Sequence, residues 1–226
     1  MLGGMSWEST AMYYQSINEG VRDALGGLHS AQICLFSVDF AEIKKLQHQS
    51  RWDEAASILS HAAASVEAAG ADFLIICTNT MHKIAGDIER AISIPLLHIA
   101  DATAQQLVAD GITRVGLIGT KFTMEQDFYK GRLTEKFNID VIVPDASEQD
   151  IVHDIIYSEL CLGLIIDESR QKYLSIIESL HAKGAEAVIL GCTEIILLIQ
   201  QKDSSVRLYD TTQIHTTKAV AFALSK

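Results

Sequence analysis

The chain has 226 residues, 48% of them hydrophobic and 21% charged, and a formal net charge of −11. That mixture suits an ordinary globular protein of one large domain or two of about 110 residues. The negative balance argues against a nucleic-acid partner, because phosphate contacts need clustered Lys and Arg. No apolar run approaches the roughly 18 residues of a membrane span.

The start shows no basic stretch followed by an apolar core, so no signal peptide is read there. The four cysteines, Cys34, Cys77, Cys161 and Cys192, have no CxxC or Cys/His metal spacing. A cytoplasmic protein with reduced thiols and no metal is therefore expected. With only two prolines, Pro95 and Pro144, no long disordered linker is expected.

In chain order, Leu2-Gly3-Gly4-Met5-Ser6 reads as the end of a strand running into a turn. A helix over Glu8–Leu25 and a strand over Gln32–Ser37 follow, then helices over Phe40–His48 and Trp52–Ala69. Next come a strand at Phe73–Cys77, a helix at His82–Arg90, a strand at Leu96–Ile99 and a helix at Ile99–Asp110. The second half repeats the alternation. Strands are expected at Arg114–Ile118, Asp140–Ile142, Ala187–Leu190 and Val206–Tyr209. Helices are expected at Glu125–Phe137, Glu148–Leu162, Asp167–Lys183, Glu194–Ile199 and Thr211–Leu224. Strand–helix alternation with short Gly turns means an α/β protein with parallel sheets. Strands such as Phe73–Cys77 are apolar on both faces, as helix-covered strands are. The boundary is placed near Ile99–Asp101, giving one domain of residues 1–99 plus 211–226 and a second of residues 100–210.

The halves are related. Gly70-Ala71-Asp72-Phe73-Leu74-Ile75-Ile76-Cys77-Thr78-Asn79-Thr80 matches Gly184-Ala185-Glu186-Ala187-Val188-Ile189-Leu190-Gly191-Cys192-Thr193-Glu194, with Thr78 in register with Cys192. Thr113–Thr120 likewise matches the shorter Leu2–Ser6, so the first strand is expected to have about five further residues upstream of an internal start at Met1. Ligands of parallel α/β sheets gather beyond the carboxyl ends of strands. Thr78 and Cys192 lie there, with Gly3–Ser6 and Gly119–Thr123, each before a helix whose first N–H groups could meet a carboxylate. Asn79, Thr80 and Thr193 add polar side chains. A thiol beside helix N-termini is expected to ionise more easily and to serve as nucleophile or proton-transfer base. Cys192 is weighed against a buried structural thiol, and the repeat favours the functional reading. Cys77, in register with Gly191, is read as core, as are Cys34 and Cys161. His82 reads as a capping or packing residue, and Asp39 and Glu42 as capping or solvated ones.

At these motifs the chain resembles the aspartate/glutamate racemase superfamily, in its aspartate racemase branch. The resemblance runs over nearly the whole length. It is carried by Gly3-Gly4-Met5-Ser6-Trp7-Glu8-Ser9-Thr10, Ser37-Val38-Asp39-Phe40, Thr78-Asn79-Thr80-Met81-His82 and Gly191-Cys192-Thr193-Glu194. Glutamate racemases proper carry Asp-Ser-Gly-x-Gly-Gly and Gly-Cys-Thr-His, which are absent here. The resemblance implies two pseudo-symmetric α/β domains, an active site at their interface and commonly a homodimer. It implies racemisation of a small amino-acid substrate with no cofactor, neither pyridoxal phosphate nor metal.

Family members use two cysteines as a thiolate–thiol pair. Here Cys192 takes the position that handles the L-face proton, while Thr78 occupies the other. Cys77 is one residue early, on the opposite face of its strand. The expected chemistry is deprotonation of an L-amino dicarboxylate by Cys192, with Asn79, Thr80 and Thr193 holding the α-carboxylate. Thr78 would orient substrate or relay a proton, so the L-enantiomer is favoured. Phe40 stands where a basic residue can meet the distal carboxylate. Met5, Gln47 and Thr123 are the remaining candidates for the pocket wall. The competing readings are a single-thiol decarboxylase or maleate-type isomerase of the same superfamily, and a non-catalytic dicarboxylate-binding protein.

Overall fold

The computed structural model describes residues 1–225. Its contacts divide into two compact units, Met1–Ile99 with His215–Lys226, and Ala100–Ile214. Both are α/β, with parallel strands and flanking helices.

The strands of the second unit are β3 (Arg114–Gly119), β4 (Asp140–Ile142), β5 (Ala187–Gly191) and β6 (Arg207–Asp210), numbered after two short strands of the first unit. They form one parallel sheet in the order β4-β3-β5-β6. Every residue of β5 is buried. Alternate residues of a strand point to opposite faces. Ile118, Val188 and Leu190 accordingly share one core with Val152, Ile155 and Ile156 of α8 (Ala146–Ser158) and with Tyr173, Ile176, Ile177 and Leu180 of α9 (Asp167–Ala182). Leu117 and Ile189, on the other face, are fully buried as well. The capping box at Asp145 and Glu148 starts α8 two residues earlier than expected. The helix expected over Glu125–Phe137 is two helices, α6 (Lys121–Glu125) and α7 (Asp127–Phe137). Gln126 breaks it by taking an extended conformation (φ −93°, ψ 150°). The C-terminal part of the helix expected over Glu148–Leu162 is a separate 3₁₀ turn, Leu160–Leu162.

The first unit departs further from expectation. Its strand pair is only β1 (Leu2–Gly3) beside β2 (Phe36–Ser37), in parallel. The expected strand at Phe73–Cys77 is reduced to isolated bridges, Leu2 to Ile76 and Leu74 to Leu96. Leu96–Ile99 supplies only that bridge, and Ile99 already begins a helix, α5 (Ile99–Ala109). The physical reason is the shortness of β1. Leu2 N–H donates to Ile75 O (2.9 Å) and Cys77 N–H to Leu2 O (2.9 Å), but a two-residue partner offers little more ladder. A groove of about 620 Å³ lined by Ala31, Ile33, Cys34, Ala71 and Phe73 lies alongside. The helices are α1 (Trp7–Leu25), α2 (Phe40–His48), α3 (Trp52–Ala68) and α4 (Ala85–Ala91). The helix expected from His82 instead begins as a 3₁₀ turn over Thr80–Ile84. The last helix, Thr211–Leu224, enters this unit from His215 onward. Among the described residues no helix is long and apolar enough to cross a membrane.

His215 ties this unit together. Its ring is fully buried, shares a hydrogen bond of 2.8 Å with the Tyr13 hydroxyl at Nδ1, and donates from Nε2 to Leu97 O at 2.8 Å. The carbonyl can only accept, so Nε2 carries the proton and Nδ1 accepts. Burial lowers its pKa from 6.5 to about 4, only partly offset by the bond to Leu97. Below pH 6.5 the unfolded chain takes up a proton that the folded ring refuses, so stability present above that pH is lost on acidification. The expected loss between pH 6.5 and 4 is on the order of 3 kcal/mol. Urea unfolding across this window should show a flatter pH dependence for His215→Gln than for the wild type.

Candidate active site

In the second unit the sheet carries β3 and β5 to neighbouring ends. Gly119 pairs with Gly191, and a Cβ on Gly119 would stand 2.7 Å from Gly191 O. A Cβ on Gly191 would stand 2.7 Å from Leu117 Cδ1 and 2.9 Å from Ile118 O. Only glycines let these backbones meet so closely. Thr123 packs over the pair, fully buried, with its hydroxyl 3.2 Å from that of Thr120. Thr123 thus supports the strand ends rather than presenting surface.

Immediately beyond β5 lie Cys192, Thr193 and Glu194, all buried. The Cys192 thiol donates to Glu194 Oε2 at 2.9 Å, and the Thr193 hydroxyl donates to the same oxygen at 2.9 Å. Burial is the largest force on the thiol and raises its pKa well above the ordinary value. The Glu194 charge, the Cys161 thiol and the hydrogen bond to Glu194 push the same way. This corrects the expectation of an easily ionised thiol. The following helix, Ile195–Leu198, has only four residues and therefore few aligned peptide dipoles to favour a thiolate. Glu194 is a buried member of this site that the comparison of the two halves does not single out. The signal for it was there, a carboxylate two residues beyond a strand-end cysteine.

In the first unit Thr78, Asn79 and Thr80 are contiguous and buried, at the start of the 3₁₀ turn. His82 organises this turn. Ile99 N–H donates to Nε2 (3.2 Å), so Nδ1 carries the proton and donates to Thr78 O (2.8 Å). With both nitrogens engaged, His82 is a structural residue. It lies edge-on to the buried His215 and 4.5 Å from the His98 ring. Gln47 donates from Nε2 to Met81 Sδ at 2.8 Å, which puts it against the same turn. Met5 belongs to the core that also holds Leu46 and Met81.

The N–H groups expected to meet an anion are partly engaged already. Gly4 N–H donates to Thr10 Oγ1 (2.8 Å) and Ser9 N–H to the capping Ser6 Oγ (3.3 Å). Thr123 N–H is capped by Thr120, and Lys121 N–H donates to His153 Nδ1. Cys77 is fully buried among Tyr13, Ile17, Ile75 and Val220, and burial pushes its thiol up to about 12. Asp39 caps α2 through Ala41 N–H. Among the described residues no group of three or more His, Cys, Asp or Glu could hold a metal ion.

Comparison with known proteins agrees with this architecture. Residues 2–219 match the model of the Asp/Glu/hydantoin racemase family. A crystal structure from Yersinia pestis, provisionally placed among the Asp/Glu racemases, is 55% identical, with a TM-score of 0.91 over 99% of this chain and 97% of that one. An aspartate racemase homologue from Pyrococcus horikoshii is 33% identical, with a TM-score of 0.84 over 100% of this chain and 97% of that one. The broad specificity amino-acid racemase RacX of Bacillus subtilis is 21% identical over 166 residues, 70% of this chain and 68% of its own.

The glycine contact makes a direct prediction. Gly119→Ala must displace the Gly191 carbonyl, next to Cys192. It should cost about 1–3 kcal/mol of stability in urea unfolding. The conservative Thr123→Ser, which keeps the hydroxyl, should cost less.

Proposed function

The chain belongs to the Asp/Glu/hydantoin racemase family, and we propose that it is a cofactor-independent racemase of aspartate- or glutamate-type amino acids that favours the L-enantiomer. The reading rests on the family match together with one observation, a thiol at the end of β5 hydrogen-bonded to a buried carboxylate. The names of two relatives, an aspartate racemase homologue and a broad specificity amino-acid racemase, support the substrate class.

In this reading Cys192, as thiolate, takes the α-proton of the L-enantiomer and becomes a thiol. The electron pair left on the α-carbon delocalises into the α-carboxylate, which Asn79, Thr80 and Thr193 hold through hydrogen bonds. The opposite face is served by Thr78, acting on water. A hydroxyl is too weak an acid to be a free base near pH 7, so the reverse abstraction from the D-enantiomer is slow. Cys77 does not substitute for it, because its side chain packs into the apolar core among Tyr13, Ile17, Ile75 and Val220. Met5, Gln47 and Thr123 act behind the contact residues by holding turn and strand ends in place. The reaction uses no metal and no other cofactor, in a cytoplasmic homodimer.

Incubation in heavy water with each enantiomer of aspartate and glutamate tests this. Rapid α-proton exchange is expected from the L-enantiomers and is abolished in Cys192→Ser. Equal exchange from both enantiomers would reject the one-thiol reading. Thr78→Cys should raise exchange from the D-enantiomers on the order of 10²-fold, the usual scale of a placed acid–base group.

A further inference from the structure

A buried thiol that resists ionisation is a poor base, yet the proposed reaction asks Cys192 to act as one. The geometry supplies the missing step. Glu194 is 3% exposed, and its Oε2 accepts a hydrogen bond from the Cys192 thiol at 2.9 Å. The same oxygen accepts the Thr193 hydroxyl, which fixes the carboxylate from a second side. A carboxylate held in this way is oriented before any substrate arrives. We infer that Glu194 is the proton acceptor of Cys192, drawing the thiol proton so that the sulfur meets the substrate as thiolate.

The inference rests on the racemase reading and deepens it. Cys–SH and Glu–COO⁻ become Cys–S⁻ and Glu–COOH, with no net change in charge. Cys–S⁻ then takes the α-proton, regenerating the thiol while the carbanion forms. The Glu194 proton leaves to water as the site turns over. Glu194 touches Cys192 rather than substrate, so it is a positioning residue for the thiol. Among the described residues, the other ionisable groups that interact with that thiol are Cys161, Tyr157 of α8 and Tyr173 of α9. Burial pushes both phenols upward, so neither is a proton acceptor in its neutral form. Only the carboxylate combines contact with basicity.

The two roles of the Glu194 charge have opposite signs, which makes them separable. In the resting protein the charge disfavours the thiolate, whereas during turnover it accepts the proton. Glu194→Gln should therefore speed alkylation of Cys192 by iodoacetamide at pH 8 by about 3- to 10-fold, with the pH profile of alkylation displaced to lower pH. In the same variant, exchange of L-aspartate or L-glutamate in heavy water should fall on the order of 10²-fold. Glu194→Asp, which keeps the charge, should leave the alkylation profile near that of the wild type and retain part of the exchange. Peptide mapping assigns the alkylated cysteine, and circular dichroism checks the fold. Alkylation and exchange that both fall, or both stay unchanged, in Glu194→Gln would overturn the inference. Absence of exchange in the wild type would instead overturn the racemase reading and the catalytic step built on it, while the substrate-free alkylation arm judges the Cys192–Glu194 pairing by itself.

Discussion

Close backbone contact between Gly119 and Gly191 is the constraint on which the second sheet's candidate site edge depends. The two strands reach the same level because their register pairs these glycines, and Thr123 seals the junction from above. Cys192 is the next residue, so its position follows from the ladder of β5 and not from loop preference. A residue placed by a buried parallel strand has little freedom to wander. Thr193 and Glu194 inherit that definition through two hydrogen bonds to a single carboxylate oxygen.

Two physical effects compete at Cys192. A helix N-terminus contributes about 0.3–1 kcal/mol in favour of a negative charge, and less for a helix of one turn. Burial can move an ionisation by several times that amount. Burial wins, and the neighbouring carboxylate adds to it. The consequence is a protonated thiol at rest. Such a group is protected from oxidation and adventitious alkylation, since the thiolate is the reactive form. Its basicity, once unmasked, is greater than that of an easily ionised thiol, because a high pKa means a strong conjugate base.

The second unit was legible in the sequence because its strands are long enough to pair along their whole length. Apolar runs at Arg114–Ile118 and Ala187–Leu190 meet partners of matching length and appear where the pattern puts them. The run at Phe73–Cys77 has the same composition but meets the two-residue β1, so tertiary context overrides the pattern. The break at Gln126 is a backbone event that helical periodicity does not register. At the candidate site the internal repeat singled out Thr78 and Cys192, because equivalent strand ends can be compared residue by residue. It hid Glu194, because the repeat sets Thr80 in that register, and a carboxylate opposite a hydroxyl reads as variation. What decides its role is a side-chain direction, which strand alternation does not specify beyond the end of the strand.

The divergence of Cys77 and Thr78 follows from extended backbone geometry. Strand side chains alternate between faces, so Cys77 and Thr78 cannot both point the same way. Cys77 goes to the core with Tyr13 and Val220, where burial disfavours the thiolate by more than the nearby N-terminal ammonium favours it. Thr78 takes the strand end, and its carbonyl is held by His82, which is itself locked between Ile99 and Thr78. Moving the thiol of Cys77 to the Thr78 position would require a one-residue slip of the segment. That slip would break the bonds of Leu2 to Ile75 and Cys77, and of Leu74 to Pro95 and Leu97. Each such buried bond costs about 1–3 kcal/mol to leave unmade, so the whole set exceeds what a transient rearrangement can supply. A thiol at this strand end therefore has to come from substitution at position 78, where the chain carries the hydroxyl of Thr78.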